Sequence, residues 1–136
     1  MTKVKAQAKW VRISARKVRI IMDLIRGKAA GDAVRLLKVM PHKAARIVEK
    51  VLLSAVANAK NNYKLSENEL FVTEIFADSA AMLKRWQARA KGRAFPIKKR
   101  TSHVTVYVGP KAEVKEQALR PFDKTQGKQA QGKEEI

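Results

Sequence analysis

Two segments of this chain alternate like β-strands, 70-LFVTEIFAD-78 and 101-TSHVTVYVG-109, and the twenty-two residues between them, 79 to 100, contain no carboxylate. In the second segment Val104, Val106 and Val108 fall on one face and His103, Thr105 and Tyr107 on the other, so the two read as paired antiparallel strands. An interval this long is rare in a compact domain unless it has structure and a task of its own. It is expected to form an extended arm, folded back near 91-KGR-93, with about 11 residues on each side and a reach of roughly 35 Å at ~3.3 Å per residue. Lys84, Arg85, Arg89, Lys91, Arg93, Lys98, Lys99 and Arg100 leave it no apolar face to bury. Its own contacts do not offset the ordering of roughly 20 residues at ~1 kcal/mol or more each, so the isolated arm is expected to be flexible. Gly92 suits a turn at the tip or a close approach to phosphate, and Trp86 and Phe95 can stack on unpaired bases. The plain alternative is a solvated charge loop.

Charge points the same way. Thirty Lys and Arg against twelve Asp and Glu give a formal charge of +18 in 136 residues, an excess that calls for a polyanionic partner. Seven basic residues precede the first acid, Asp23, whereas the tail from Pro110 holds six basic and five acidic residues. The positive character therefore belongs to the patterned part of the chain, and the tail, with little apolar periodicity, is expected to be mobile or only locally ordered. Cysteine is absent, which removes any disulfide framework and fits a reducing compartment such as the cytoplasm. No apolar run reaches the roughly 20 residues that span a bilayer, and the N-terminus lacks the apolar core of a secretory signal, so a soluble, non-exported protein is expected.

Upstream, 4-VKAQAKWVRI-13 alternates with Val4, Ala6, Ala8 and Trp10 on one side, a strand with one buried face. Ser14 is placed to cap a helix in which Val18, Ile21, Met22 and Ile25 recur until Gly27. A second helix over 29–39, carrying Val34, Leu37 and at its margin Leu36 and Met40, stops at Pro41. The third and longest lies within 42-HKAARIVEKVLLSAVANAKNN-62, with Ala45, Val48, Leu52, Ala55, Val56 and Ala59 on one side and a left-handed exit at Asn61 and Asn62. Arg16, Lys17 and Arg19 crowd the start of the first helix, where cations are unfavourable unless an external phosphate answers them. Lys3, Lys5, Lys9 and Arg12 lead into that start, which makes a continuous basic surface the better reading over an ordinary solvated helix face.

Catalytic readings find little support. His42 and His103 are far apart, and no zinc-type spacing exists. The fragment 27-GKAAGD-32 lacks the spacing of a phosphate loop, and Glu67, Glu69, Glu74 and Asp78 identify no base, nucleophile or oxyanion site. His103 reads instead as a hydrogen-bonding or stacking residue beside RNA.

Four motifs in order, 14-SARKVR-19, 54-SAVANAKNN-62, 89-RAKGRA-94 and 99-KRTSHVTV-106, closely resemble the family of bacterial large-subunit ribosomal protein twenty-two, over about Lys3 to Val108. The resemblance implies an α+β fold, three helices packed on a small antiparallel three-stranded sheet with a long protruding β-hairpin. It implies one rRNA-binding domain over 1–109, including the arm 79–100; the tail 110–136 shows no family pattern, takes no function from the resemblance, and is expected to be flexible on composition alone. As partners it implies large-subunit (23S) rRNA, neighbouring ribosomal proteins including protein four near the tunnel constriction, and the nascent polypeptide. No cofactor, metal, membrane insertion or homo-oligomer is implied. By position, Ser14, Arg16, Lys17 and Arg19 match the rRNA-contacting helix start, and Lys99, Arg100, Thr101, Ser102 and His103 match the returning side of the arm. Arg89, Ala90, Lys91, Gly92 and Arg93 match a hairpin tip that lines the exit tunnel. Lys5, Lys9, Arg12, Lys84, Arg85, Trp86 and Lys98 complete the expected rRNA-binding set. One departure is Ala88, where many members have Pro before the RAKGRA-type segment.

The expected function is thus structural, binding and bridging rRNA domains during assembly and forming tunnel wall in the large subunit. A promiscuous nucleic-acid chaperone would share the charge without the specificity. A membrane-surface protein would need an exposed apolar helix face, and those faces are needed for the core.

Overall fold

The computed structural model describes residues 3–110; the expectation for the tail from residue 111 onward lies outside the described residues. Strand β1 (Val4–Val11) leads into helices α1 (Ala15–Ile25), α2 (Ala30–Val39) and α3 (Lys43–Tyr63). A short 3-10 turn, Glu67–Glu69, then enters two long strands, β2 (Leu70–Ala88) and β3 (Ala94–Pro110). The strands form one antiparallel sheet in the order β1-β3-β2, so the chain has the expected α+β fold, with β2 and β3 continuing past the body as a hairpin.

Register explains why the helices sit on one face of the sheet. Val104, Val106 and Val108 of the central strand stand opposite Ala8, Ala6 and Val4 on one side and Ala77, Ile75 and Val72 on the other. Opposed residues share a face, so these nine side chains make one apolar surface. Helix α3 is the spine laid across it, burying Ala44, Ala45, Val48, Val51, Leu52, Ala55 and Ala59; small alanines let its backbone approach the sheet. Beside it α1 buries Val18, Ile21, Met22 and Ile25, and α2 buries Ala30, Ala33 and Leu37. Val34, Leu36, Met40 and Val56 pack at the margin of this core.

Local chemistry departs from the sequence reading in three places. Ser14 occupies the N-cap position of α1, yet its hydroxyl makes no capping bond; its carbonyl takes the Lys17 and Val18 amides. Helix α3 continues through Asn61 and Asn62, and the left-handed exit falls on Lys64 at φ 53°. Trp10, expected inward with Val4 and Ala6, is 59% exposed. The cause is a β-bulge: pairing shifts register between Ala8 and Val11, and Trp10 adopts φ 59°.

The outer edge of β2 is covered by the chain itself. Arg19 donates from Nε and Nη2 to the Ala77 carbonyl at 3.0 and 2.7 Å, and Arg26 Nη2 donates to the Ile75 carbonyl at 3.2 Å. Gly27 N–H donates to Val72 O, and Val72 N–H to Lys28 O. An edge that would otherwise offer unpaired backbone groups to another strand is closed along the body.

Candidate nucleic-acid interface

The arm begins where burial ends. Thr101 and Ser102 are buried, whereas from Ala81 to Arg100 every residue is exposed except the half-buried Ile97. A further bulge, where β2 shifts register between Ala80 and Leu83, marks this root. There the Thr101 hydroxyl donates to the Ala81 carbonyl at 2.7 Å, filling a position the irregular ladder leaves open. From Ala81 to Ala88 the strand runs roughly 23 Å at ~3.3 Å per residue.

Ladder pairing continues to Ala88 and Ala94, so Arg89 to Arg93 form the tip. Arg89 N–H donates to Arg93 O at 2.8 Å, and both Lys91 (φ 60°) and Gly92 (φ 69°) are left-handed. The turn therefore falls where the sequence placed it. Space around Gly92 is open, with nothing within 4 Å of an added Cβ, so its backbone angle is what favours glycine. Lys91 accepts a left-handed conformation at the apex and carries a cation there.

Pairing also sorts the arm's side chains. One face holds Leu83, Arg85 and Gln87 with Lys99, Ile97 and Phe95; the other holds Lys84, Trp86 and Ala88 with Lys98, Pro96 and Ala94. Each face carries cations and one well-exposed aromatic, Phe95 on the first and Trp86 on the second. The Arg89 guanidinium lies 5.6 Å from the Phe95 ring centroid. Lys84 stands directly opposite Lys98, a like-charge pair that weakens an isolated hairpin. Ion pairs of the described residues, Lys3–Glu74, Arg26–Asp23, Arg35–Asp32 and Lys60–Glu67, all lie in the body. None of these carboxylates pairs with a cation of the arm, where Arg85 instead donates to the Lys84 carbonyl at 2.7 Å and Arg100 to the Met82 sulfur at 3.7 Å.

On the body, Lys5, Lys9, Arg12, Arg16 and Lys17 are exposed around β1 and the start of α1, and Ser14 is half-buried. Lys5 Nζ lies 5.9 Å from the Tyr107 ring centroid. Three residues of the expected set are engaged or enclosed by the protein itself. Arg19 spends its Nε and one terminal nitrogen on Ala77, Thr101 braces the arm's root, and Ser102 is fully buried with a hydroxyl that finds no partner among the described residues. Position in the chain brought these three into the set; burial removes Thr101 and Ser102 from the accessible surface.

Sequence reasoning missed Trp10. Its backbone N–H donates to His103 Nδ1 at 3.1 Å, and the two rings meet edge to face with centroids 4.7 Å apart. The available signal was the break in alternation, since Trp10 is followed at once by the apolar Val11.

Exposed cations, interleaved aromatics and a backbone that presents both are the equipment for phosphate neutralisation and base stacking. Among the described residues, no cluster of His, Cys, Asp or Glu could hold a metal ion, and no helix is long and apolar enough to cross a membrane. Residues 6–109, arm included, match the family described as Ribosomal protein L22p/L17e. The chain belongs to that family and is a structural, rRNA-binding protein of the large ribosomal subunit.

Proposed function

We propose that the body and the arm together bridge several domains of 23S rRNA as the subunit assembles, and that the hairpin tip forms part of the wall of the nascent-chain exit tunnel. The observation that carries this reading is the hairpin itself. Its ladder continues beyond the bulge at its root to Ala88 and Ala94, it contains no carboxylate, its two faces both carry cations and an aromatic, and it sets Lys84 against Lys98. Such an arm has no reason to be surrounded by protein and good reason to be surrounded by phosphate.

In this reading Lys84, Arg85, Lys98, Lys99 and Arg100 neutralise phosphates along the shaft, while Trp86 and Phe95 stack on unpaired bases. Arg89, Ala90, Lys91, Gly92 and Arg93 line the tunnel, facing the nascent polypeptide near protein four. Lys5, Lys9, Arg12, Arg16 and Lys17 dock the body, with His103 at the junction. The unit that does this spans 1–109, with 110–136 as an appended tail, and its site of action is the large subunit in the cytoplasm. Affinity comes from counterion release, and selection of one folded RNA from the shape of the arm.

The test is a Lys91→Glu/Arg93→Glu double variant, followed by sedimentation of large subunits through a sucrose gradient after a high-salt wash. The variant is expected to fold normally, be depleted from the salt-washed subunit peak and disturb the tunnel region. Full retention with an unchanged hairpin path would refute the arm's role. Loss of the unmodified chain to the top fractions would favour a promiscuous chaperone instead.

A further inference from the structure

The face of the sheet turned away from the helices is partly open: Thr105 at its centre is buried, with a hydroxyl that finds no partner among the described residues, while the side chains around it are exposed or half-buried. Reading across the strands, its rows are Lys5, Tyr107 and Glu74; then Gln7, Thr105 and Phe76; then the bulged Lys9 and Trp10, His103 and Asp78. Phe76 and Tyr107 are ring neighbours with centroids 6.0 Å apart, and Trp10 and His103 form the edge-to-face pair at the other end. From Tyr107 to His103 along β3 the two aromatic pairs are roughly 13 Å apart at ~3.3 Å per residue. Phe76 is 40% exposed and Trp10 59% exposed. Lys3 answers Glu74 at 2.8 Å, and Lys5 and Lys9 bring positive charge to the β1 side of the face.

Trp10 is the informative member. A left-handed φ is strained for a bulky residue, at a cost of about 1–3 kcal/mol, and glycine is the usual occupant of such a bulge position. The indole is not buried, so core packing does not compensate. What holds it is His103, whose Nδ1 accepts the Trp10 amide; with Nδ1 an acceptor, the imidazole carries its proton on Nε2 and keeps one donor. Asp78, in register beside His103 and exposed, adds an acceptor suited to an exocyclic amine of a base. A strained backbone thus holds a large flat ring exposed, next to one donor, one acceptor and Lys9.

We propose that this sheet face binds an unpaired RNA base, stacked on the Trp10 indole with its edge read by His103 and Asp78. Phe76 and Tyr107 offer a second stacking surface further along the strand. The inference rests on the rRNA-binding reading but assigns a base-specific contact to the body, separate from the arm. Sheet faces that display aromatics bind single-stranded RNA in this way, each stacked base contributing about 1–3 kcal/mol.

The full chain has two tryptophans, so a Trp86→Phe background leaves Trp10 as the sole indole reporter. Two single-stranded probes of equal charge are titrated at fixed salt: an oligoadenylate RNA octamer and an octamer of the same sugar-phosphate backbone without bases. Oligoadenylate is expected to quench Trp10 emission, and the abasic octamer to bind without quenching it. Adding Trp10→Gly, which suits the left-handed backbone, is expected to weaken oligoadenylate binding about tenfold, read by the anisotropy of end-labelled octamers, and leave abasic binding unchanged. Trp10→Phe should recover part of the loss. Equal quenching by both probes, or oligoadenylate binding unaffected by Trp10→Gly, overturns the proposal. Binding of 23S rRNA fragments by the unmodified chain is measured in parallel. If that persists while the base-dependent signal is absent, the platform falls alone; if it is absent too, the rRNA reading falls with it.

Discussion

Strands β2 and β3 pass through two regimes without a break, and the contrast between them is instructive. Up to Ala80 and Thr101 they belong to the body, where alternate residues such as Val72, Ile75, Ala77 and Val104 are sealed under the helices. Beyond that point the same ladder continues, yet no residue is buried. In the body, hydrophobic burial holds the backbone in place. In the arm, backbone pairing acts alone against the entropy of ordering and against the Lys84–Lys98 repulsion. One sheet therefore contains a part held by burial and a part held by its backbone ladder with few side-chain contacts.

The largest effect that separates the regimes is expected in the core. Leu52 is fully buried in α3, and Leu52→Ala should destabilise the body by about 2–5 kcal/mol through lost transfer energy and a residual cavity. Denaturant unfolding gives that number directly. The same truncation in the arm, Ile97→Ala, should change the midpoint hardly at all. Comparable losses from both would mean that the arm packs on the body and that the division at Thr101 is wrong.

How far the sequence revealed this division depends on which force acts where. The helices and the apolar face of the sheet were legible because burial imposes period: Val18, Ile21, Met22 and Ile25 on α1, and Val104, Val106 and Val108 on β3, lie where their spacing put them. The arm was legible for the opposite reason, since a long acid-free interval between two strands has few other solutions. Places where backbone geometry overrides pattern were not legible. The bulge at Trp10 reverses the facing of one residue, the Ser14 hydroxyl goes unused, and α3 overruns Asn61 and Asn62 to end at Lys64. Nor did charge type disclose that Arg19 closes the β2 edge, because an arginine bound to a carbonyl and one awaiting a phosphate look alike in sequence.

A charge reversal within the arm sharpens the comparison at smaller energy. Lys84→Glu replaces the cross-strand repulsion with an attraction to Lys98 and should stabilise the free hairpin by roughly 0.2–1 kcal/mol. Amide exchange across Leu83–Ala88 should slow in the free chain. At the same time the variant should bind 23S rRNA more weakly and with a shallower salt dependence, since one phosphate contact is lost. Faster arm exchange would show that Lys84 and Lys98 do not face each other. Tighter RNA binding would show that a rigid arm matters more than its charge.

The smallest expected effect lies at the border. Ser102 was placed with the RNA-contacting residues by its match to the returning side of the arm in the family pattern, but its side chain is fully buried and its hydroxyl has no partner among the described residues. Removing a buried, unpartnered hydroxyl relieves a desolvation cost while losing little packing, so Ser102→Ala should leave the melting temperature unchanged or slightly raised, within about 1 kcal/mol. Affinity for 23S rRNA and its salt slope should also be unchanged, unlike those of Lys84→Glu on the neighbouring strand, farther out along the arm. A clear loss of RNA affinity with intact stability would move the border inward, making Ser102 part of the surface that RNA completes. A loss of stability well above 1 kcal/mol would instead reveal a hydrogen bond at the root of the arm, and with it a polar contribution to the body that burial alone does not supply.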